Sequence, residues 1–198
     1  MIGGIYISPA KQNKRLRGDA MRYAQIREMD ISNGRGIGVS LFVQGCHFHC
    51  RGCFNPETWD FRGGKEWNEE IQNEFIQLAD RPYVKRVSIL GGEPLADKNV
   101  LTVYMIIQEI RGRLVDKEIW LYTGYTWEEI MKPHSLICES ALDTIRRNVA
   151  ESADYIIDGK FDIAKQDLFN KEIVWAGSSN QRVIDVKRTL ETDKMITI

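Results

Sequence analysis

Three cysteines close together in one loop are the feature that most restricts what this chain can fold into. Cys46, Cys50 and Cys53 have the spacing C-x₃-C-x₂-C, and they come directly after the apolar run 39–43. The chain has four cysteines in all, and the fourth, Cys138, is far away in sequence. A cubic iron–sulfur cluster usually takes four cysteines, one for each iron. Three local thiolates would leave one iron open, which is typical of a metal site that does chemistry.

Other uses of these thiols are open on the sequence alone. A disulfide would leave an odd thiol, and a thioredoxin-like pair of Cys50 and Cys53 would leave Cys46 unexplained. A structural zinc site could take His47 or His49 as its fourth ligand, although small zinc modules pair two ligand knuckles and the sequence has no second one. We interpret both histidines as loop residues near the cluster, because histidine ligates such clusters less often than cysteine.

Apolar runs and helical stripes alternate along the chain and predict an α/β fold. Strands are predicted at 37–44, 84–90, 119–122, 154–158 and 182–186, and helices at 66–80, 97–111, from Thr126 onward and at 140–149. Thr126 and Glu129 have the spacing of a capping box at the start of the third helix. This alternation implies a parallel sheet with right-handed crossovers. A full eightfold barrel usually needs about 250 residues, so this chain of 198 predicts an open, partial (β/α) barrel.

A second motif follows the predicted strand 84–90 directly. Gly91 and Gly92 allow a sharp turn and a close backbone approach to a ligand, and Pro94 fixes the exit from that turn. Glu93 then lies at the carboxyl end of a parallel strand, where the active sites of such folds gather. A Gly-Gly turn alone is weak evidence, but the cysteine loop follows the neighbouring strand, so we predict a joint site.

Loops after the later strands hold weaker candidates. Residues 123–125 follow the third predicted strand, and the polar segment 177–182 leads into the fifth. Asp158 ends the fourth strand, where its carboxylate could bind a ribose hydroxyl or cap the turn. Ordinary loop chemistry explains each of these equally well. Cys138 lies among apolar neighbours, which favours a buried core thiol.

On these residues the chain resembles the radical S-adenosylmethionine (SAM) enzymes. The cysteine spacing identifies only that superfamily, whereas a wider set of segments is similar to the activating proteins of anaerobic ribonucleoside-triphosphate reductase, a family of glycyl-radical-enzyme activases. These segments are Met21–Tyr23, Asp30–Gly34, Gly36, Phe42–Cys46 and Cys53–Trp59. The resemblance runs from Met21 to about Val186. It implies a partial barrel of the radical SAM type.

The resemblance also implies the ligands and the reaction. Cys46, Cys50 and Cys53 would bind a 4Fe–4S cluster, and SAM would complete the open fourth iron. The implied SAM-binding residues are Gly52, Phe54, Gly91, Gly92, Glu93 and Asp158. The superfamily often has an aromatic residue before the third cysteine, but this chain has Gly52, so Phe54 is expected to supply the ring against the adenine. Reductive cleavage of SAM would then lead to a glycyl radical on the reductase, with no acid–base side chain required.

Two rival functions share part of this chemistry. An activase of another glycyl-radical enzyme, such as pyruvate formate-lyase, would differ only in its partner, and an iron–sulfur electron carrier would bind no SAM. The expected partners are the anaerobic reductase and an electron donor such as flavodoxin. A net charge of -1 gives no general attraction to nucleic acid or anionic membrane, and no apolar run approaches a membrane helix of about 20 residues. Grouped cysteines suit a reducing compartment, so we expect the cytoplasm.

The beginning of the chain differs from the rest. Residues 11–19 are polar and lack periodicity, and residues 1–10 lack the charged start and apolar core of a signal peptide. Chains of the resembling family typically begin near the position of Met21. We therefore expect residues 1–20 to be a disordered extension and residues 21–198 to form one radical SAM domain.

Overall fold

The structure is a computed structural model that describes residues 20–132, 140–166 and 174–198. These residues form a seven-stranded sheet with helices packed against it. The strands are β1 (Arg22–Asp30), β2 (Gly38–Val43), β3 (Lys65–Glu66), β4 (Arg86–Gly91), β5 (Glu118–Tyr122), β6 (Tyr155–Asp158) and β7 (Arg182–Asp185). The helices are α1 (Glu69–Asp80), α2 (Val100–Arg113), α3 (Trp127–Met131), α4 (Ala141–Glu151) and α5 (Val186–Thr192). Cys138 and the predicted extension, apart from Ala20, lie outside the described residues.

The centre of the sheet is parallel and its outer strands are antiparallel. The strand order is β3-β1-β2-β4-β5-β6-β7. Strands β2, β4, β5 and β6 are parallel neighbours, whereas β1 runs against β2 and β3, and β7 runs against β6. The predicted α/β class is therefore confirmed, but the prediction of a wholly parallel sheet is wrong at both sides. An antiparallel neighbour needs only a short connection, and residues 31–37 supply one between β1 and β2.

The two faces of the parallel strands have different neighbours. Val39, Leu41 and Ile89 point to the helices and belong to the main hydrophobic core. Ser40 and Ser88 alternate with these residues along the same strands, so they point to the opposite face, which we call the inner face. They lie in register with each other, and Ser88 is in register with Trp120 of β5. The inner face therefore carries hydroxyl and aromatic groups instead of a continuous aliphatic layer.

Helix α1 confirms the predicted helix 66–80, with its apolar stripe, but begins later than predicted. Phe75 and Leu78 are buried, as the stripe requires, and Asn68 caps the helix by accepting a hydrogen bond from the Ile71 backbone N–H at 2.9 Å. The predicted start at Glu66 is wrong because residues 65–66 pair with β1 as strand β3. None of the helices formed within the described ranges has the length and apolarity needed to cross a membrane.

The predicted capping box of α3 is confirmed. The Thr126 hydroxyl accepts a hydrogen bond from the Glu129 backbone N–H at 3.3 Å, and the Glu129 carboxylate accepts one from the Thr126 backbone N–H at 2.8 Å. This reciprocal pair satisfies two donors that the first helical turn would otherwise leave free. It fixes the point at which the chain leaves β5 and turns back over the sheet.

A buried ion pair lies on the inner face near the start of β4. Arg86 Nη2 lies 3.3 Å from Asp30 Oδ1, and both side chains are fully buried. Arg86 also donates to the Arg35 carbonyl oxygen and to Ser88 Oγ, at 3.1 and 2.6 Å. Burial alone would raise the pKa of Asp30, but hydrogen bonds from the Asn33 side chain and nearby backbone N–H groups lower it to about 2. The pair thus ties the loop after β1 to β4.

We expect Asp30→Asn to reduce the free energy of unfolding by about 3–5 kcal/mol, because it leaves the buried Arg86 without a counter-charge. Asp60→Asn is the matched control, since Asp60 pairs with Arg62 at the surface, where the side chains are 60% and 90% exposed. That variant should lose little stability, because water and salt screen an ion pair at the surface. Anaerobic urea unfolding followed by tryptophan fluorescence measures both. Equal losses in the two variants would contradict a special role for the buried pair.

The Asp30 carboxylate also makes the stability of the protein depend on pH in acid. Because the pKa of Asp30 is lowered in the folded state, its contribution should be complete above about pH 4, the ordinary value of an unfolded aspartate. It should decline as the pH falls toward 2. Asp30→Asn should therefore show a weaker loss of stability over this interval than the unaltered protein.

Candidate functional site

The two motifs predicted to form a joint site lie around one cavity. It has a volume of about 550 Å³ and opens at the carboxyl ends of β2 and β4. The predicted residues that line it are Cys46, Cys50, Cys53, Phe54, Gly91, Gly92 and Glu93. Gly52 and Asp158 do not line it. The structure thus brings together most of the predicted site residues and leaves these two outside.

The base of the cysteine loop is closed by hydrogen bonds. Gly45 and Cys46 donate their backbone N–H groups to the carbonyl oxygens of Thr58 and Trp59, at 2.7 and 3.1 Å. The buried Gln44 side chain donates to two further carbonyl oxygens of the same returning segment, at 2.9 and 2.8 Å. The three cysteines therefore sit in a loop whose two ends are held together before any ligand binds. No local sequence pattern predicts this role of Gln44.

Backbone N–H groups surround the three sulfurs. Burial raises the pKa of the Cys46 and Cys50 thiols, and nearby N–H groups lower it. The N–H groups that interact with the sulfurs belong to Phe48 and His49 for Cys46, Phe161 for Cys50, and Asn55 for Cys53 at 3.4 Å. Hydrogen bonds of this kind stabilise thiolates and tune iron–sulfur clusters. The loop therefore fits thiolate ligands of a cluster.

The thiols are not arranged around a single ion. Among residues 20–132, 140–166 and 174–198, no group of three or more His, Cys, Asp or Glu side chains has the arrangement that holds one metal ion. A zinc site needs its ligands about 2.0–2.3 Å from one ion, whereas a cubic cluster needs one thiolate for each iron. The three thiols line the wall of one cavity, so each could serve one iron of a cluster.

The two histidines of the loop contact aromatic rings. His47 packs on Phe48 and Tyr125, with ring centroids 4.2 and 5.7 Å apart. His49 packs on Trp59 at 4.8 Å and has a φ of 49°, which lies in the left-handed region. Both rings thus support the shape of the loop, in line with their interpretation as loop residues.

The two glycines of the second motif allow two loops to meet. Gly91 has a φ of +104°, and a Cβ atom there would lie 2.7 Å from the Cα atom of Phe42. A Cβ atom at Gly92 would lie 2.5 Å from the carbonyl oxygen of Gly45. The Glu93 backbone N–H donates to that same oxygen at 2.8 Å. The two glycines thus let the second motif pack directly against the cysteine loop, apart from any contact with a ligand.

Asn99 is a positioning residue that the sequence reading missed. Its buried side-chain amide donates to the carbonyl oxygens of Gln44 at 3.0 Å and Glu93 at 2.9 Å, with a longer contact to Gly45 at 3.4 Å. An asparagine directly before a helix looks like an N-cap in sequence, yet this side chain makes no capping hydrogen bond. It joins the cysteine loop to the Gly-Gly-Glu turn instead.

Glu93 is buried and fully hydrogen-bonded. Oε1 accepts from the Leu95 backbone N–H and the Thr123 hydroxyl, and Oε2 accepts from the Gly124 backbone N–H, each at 2.8 Å. Burial raises the pKa of Glu93 to about 7, although these donors lower it. The carboxylate therefore holds the loop after β5 while it also lines the cavity. The candidates Thr123 and Gly124 lie in the site as its hydrogen-bond partners.

Asp158 has other partners than a ligand in the cavity. Its carboxylate forms a two-pronged ion pair with Arg182 and accepts a hydrogen bond from the Trp127 backbone N–H at 2.7 Å. Arg182 also pairs with Glu128, at 2.9 and 2.7 Å. These contacts join Asp158 to the start of α3 and to β7. Its contact with a ribose stays an untested prediction.

Gly52 and Phe54 lie on different sides of the loop. Gly52 has a φ of +75°, a conformation that residues with a side chain rarely adopt, and a Cβ atom there would lie 2.4 Å from Ile163 Cδ1. Phe54 lines the cavity, is 61% exposed and has its ring 4.8 Å from that of Phe161. The aromatic surface beside the cysteines is thus made by Phe54 and Phe161, and Phe161 was not among the predicted site residues.

Comparisons with known proteins identify the family of the chain. The family described as "4Fe-4S single cluster domain" matches residues 32–184. The chain is 34% identical to the anaerobic ribonucleoside-triphosphate reductase-activating protein of Pasteurella multocida over 163 residues, which cover 81% of this chain and 95% of that protein. It is 34% identical to the protein of the same name from Escherichia coli K12, over 82% of this chain and 97% of that protein. The one from Enterobacteria phage T4 is 32% identical, over 82% and 93%.

We expect Cys46→Ala, Cys50→Ala and Cys53→Ala each to abolish the iron–sulfur cluster, because each removes one of the three thiols that line the cavity. Cys138→Ala is the matched control and should keep the iron content of the unaltered protein. Iron and sulfide analysis after anaerobic reconstitution measures the effect. A folded Cys138→Ala variant without a cluster would indicate four protein ligands, and it would contradict an open fourth iron.

Proposed function

Because the chain belongs to the family of anaerobic ribonucleoside-triphosphate reductase-activating proteins, we propose that it activates such a reductase by generating a glycyl radical on it. The observation that carries the proposal is the three-thiol loop and the Gly-Gly-Glu turn on the wall of one cavity. The central parallel strands, with this cavity at their carboxyl ends, support a partial barrel of the radical SAM type.

The residues of the cavity divide the binding of the cofactors between them. Cys46, Cys50 and Cys53 would hold three irons of a 4Fe–4S cluster and leave the fourth for SAM. When bound, the cluster and SAM would supply the one-electron chemistry that generates a radical on a glycine of the reductase. All other requirements of the reaction are binding, orientation and exclusion of water, which fall to the protein.

Glu93 is suited to the ammonium group of SAM. It is the carboxylate that lines the cavity, and it is held rigidly by three donors. A bound cation would favour its ionised form, which burial alone disfavours. Phe54 and Phe161 offer an apolar surface for the adenine beside the cysteine loop. In this arrangement Asn99 keeps the thiols and the carboxylate at a fixed separation.

Two parts of the proposal concern the surroundings of the reaction. The cluster needs an electron donor, and we predict that a flavodoxin supplies the electron. The reducing environment that such a cluster needs makes the cytoplasm our predicted location. An activase for another glycyl-radical enzyme would use the same cavity, so the choice of partner is decided by the experiment below.

We expect incubation of the reductase with this protein, SAM and a reductant to produce a glycyl doublet in the electron paramagnetic resonance spectrum of the reductase. Cys50→Ala should produce none, because the cluster is lost. Pyruvate formate-lyase is the control partner and should stay without a radical. A doublet on that enzyme and none on the reductase would keep the chemistry and overturn the choice of partner. No cleavage of SAM by the cluster-loaded protein would overturn the proposed function.

We expect Glu93→Gln to keep the cluster and to weaken SAM binding by about ten- to hundredfold, because a charge-assisted hydrogen bond contributes about 1.5–3 kcal/mol. Asp154→Asn is the matched control. Like Glu93, Asp154 accepts a hydrogen bond from a backbone N–H, here at 2.7 Å, but it lies outside the cavity and also binds Arg111 at 2.7 Å. Anaerobic calorimetry with the cluster-loaded proteins measures the affinity. Unchanged affinity in Glu93→Gln would restrict Glu93 to holding the loop after β5.

A further inference from the structure

The polar segment that leads into β7 has no role in the cofactor binding proposed above. Its residues 177–181 come directly before β7, which runs antiparallel to β6. Because neighbouring antiparallel strands bring opposite ends together, these residues lie beside those that follow β6. We call the residues 159–163, which follow β6, the β6 loop. The polar segment and the β6 loop thus meet next to the cavity, and both contribute residues to its wall.

Gln181 joins the polar segment to the β6 loop through its side-chain amide. Nε2 donates a hydrogen bond to the Gly159 carbonyl oxygen at 2.8 Å, and Oε1 accepts one from the Gly177 backbone N–H at 2.9 Å. Gly159 has a φ of +93°, a conformation that residues with a side chain rarely adopt. The amide of Gln181 therefore holds the point at which the chain turns sharply out of β6.

Two further side chains of the polar segment bind the β6 loop. Asn180 Nδ2 donates a hydrogen bond to the Lys160 carbonyl oxygen at 2.8 Å. Ser178 is fully buried, and its hydroxyl accepts a hydrogen bond from the Asp162 backbone N–H at 3.1 Å. Together with Gln181, these side chains bind three different residues of the β6 loop. The loop is thus fixed by the polar segment along most of its length.

The β6 loop in turn packs on the cysteine loop. The Phe161 ring lies 4.8 Å from that of Phe54, measured between centroids. Ile163 Cδ1 lies 2.4 Å from the place where Gly52 would carry a Cβ atom, so its side chain fills the space beside that glycine. The Phe161 backbone N–H also interacts with the Cys50 sulfur. The β6 loop therefore supports the cysteine loop on the side that Gly52 faces.

This support bears on the retention of a cluster by three thiolates. The base of the cysteine loop is closed by the bonds to Thr58 and Trp59. Residues 50–54 carry two of the three thiols, and the β6 loop packs on these residues. Groups that orient metal ligands from outside typically change metal affinity by about 10–100-fold when they are altered. A side chain that holds the β6 loop can therefore act on the cluster without touching it.

We propose that Gln181 is a positioning residue for the iron–sulfur cluster: by binding the Gly159 carbonyl group it keeps the β6 loop against the cysteine loop, and so slows the loss of iron from the site. Asn180 assists it through the Lys160 carbonyl group. The inference rests on the cluster-binding part of the proposed function. It does not depend on SAM or on the identity of the reductase.

The test is Gln181→Met, which keeps the length of the side chain and removes both hydrogen bonds. Cluster-loaded protein is mixed anaerobically with the ferrous-iron chelator ferrozine, without SAM, and the absorbance of the iron complex is followed in time. We expect iron to be released about three- to tenfold faster than from the unaltered protein. Asn180→Ala should also accelerate the release. Because Asn180 does not line the cavity, its effect cannot come from a lost contact inside it.

Gln72→Met is the matched control. Gln72 is also partly buried, and its side chain accepts a hydrogen bond from Trp67 Nε1 at 3.1 Å and donates one to the Glu109 carboxylate, away from the cavity. This variant should release iron at the rate of the unaltered protein. Urea unfolding measures the stability of every variant separately, and Gln181→Met should lose no more free energy of unfolding than Gln72→Met.

Three results would overturn the proposal. An unchanged rate in Gln181→Met would show that the amide does not act on the cluster. Equal acceleration in Gln181→Met and Gln72→Met would reduce the effect to a general loss of stability. Acceleration in Gln181→Met but not in Asn180→Ala would mean that Gln181 does not act through the β6 loop. If Gln181→Met does not fold, the rate of Asn180→Ala decides. Failure of the proposed function differs from all of these, because the unaltered protein would then take up no cluster.

Discussion

The carbonyl oxygen of Gly45 is the point on which the geometry of the site depends. It accepts the Glu93 backbone N–H, it lies against the place where Gly92 has no Cβ atom, and the Asn99 amide reaches it and its neighbour. Parallel strands bring only their ends together and leave the loops beyond them free to diverge. These few contacts instead lock the thiol loop against the Gly-Gly-Glu turn. The two motifs are therefore held at a fixed separation before any ligand binds, and chemistry that depends on position requires this.

Three buried carboxylates differ in whether an arginine of the same chain neutralises them. Asp30 is paired with Arg86, and its lowered pKa reflects donors that stabilise its ionised form. Asp158 is likewise committed, to Arg182. Glu93 has only neutral donors, so burial leaves its pKa raised to about 7. A carboxylate without a partner cation in a cavity is the one that gains most from binding an external cation. This difference, rather than burial itself, singles out Glu93.

Local patterns predicted the elements well, and long-range pairings escaped them. The cysteine spacing, the Gly-Gly turn, the stripe of α1 and the capping box at Thr126 each lie within a few residues, so the sequence displays them directly. Strand β1 is polar along most of its exposed length and shows no apolar run, which is why it was not predicted. Asn99 lay inside the predicted helix 97–111 and carried no signal of its own. Asp158 was predicted to bind a ribose or cap a turn, whereas its partner Arg182 lies 24 residues later. No local rule reveals such partners.

The antiparallel outer strands bring two further segments of the chain to the inner face of the sheet. Because β1 runs against β2, the loop that joins them returns beneath the inner face and places Asn33 there, tied to Ser88. On the other side, Trp175 lies before the antiparallel strand β7 and packs on Trp120, with ring centroids 5.0 Å apart. A further parallel strand on each side would require its own crossover helix and would move the sheet toward closure. The departures from a wholly parallel sheet thus place Asn33 and Trp175 on the wall of the cavity.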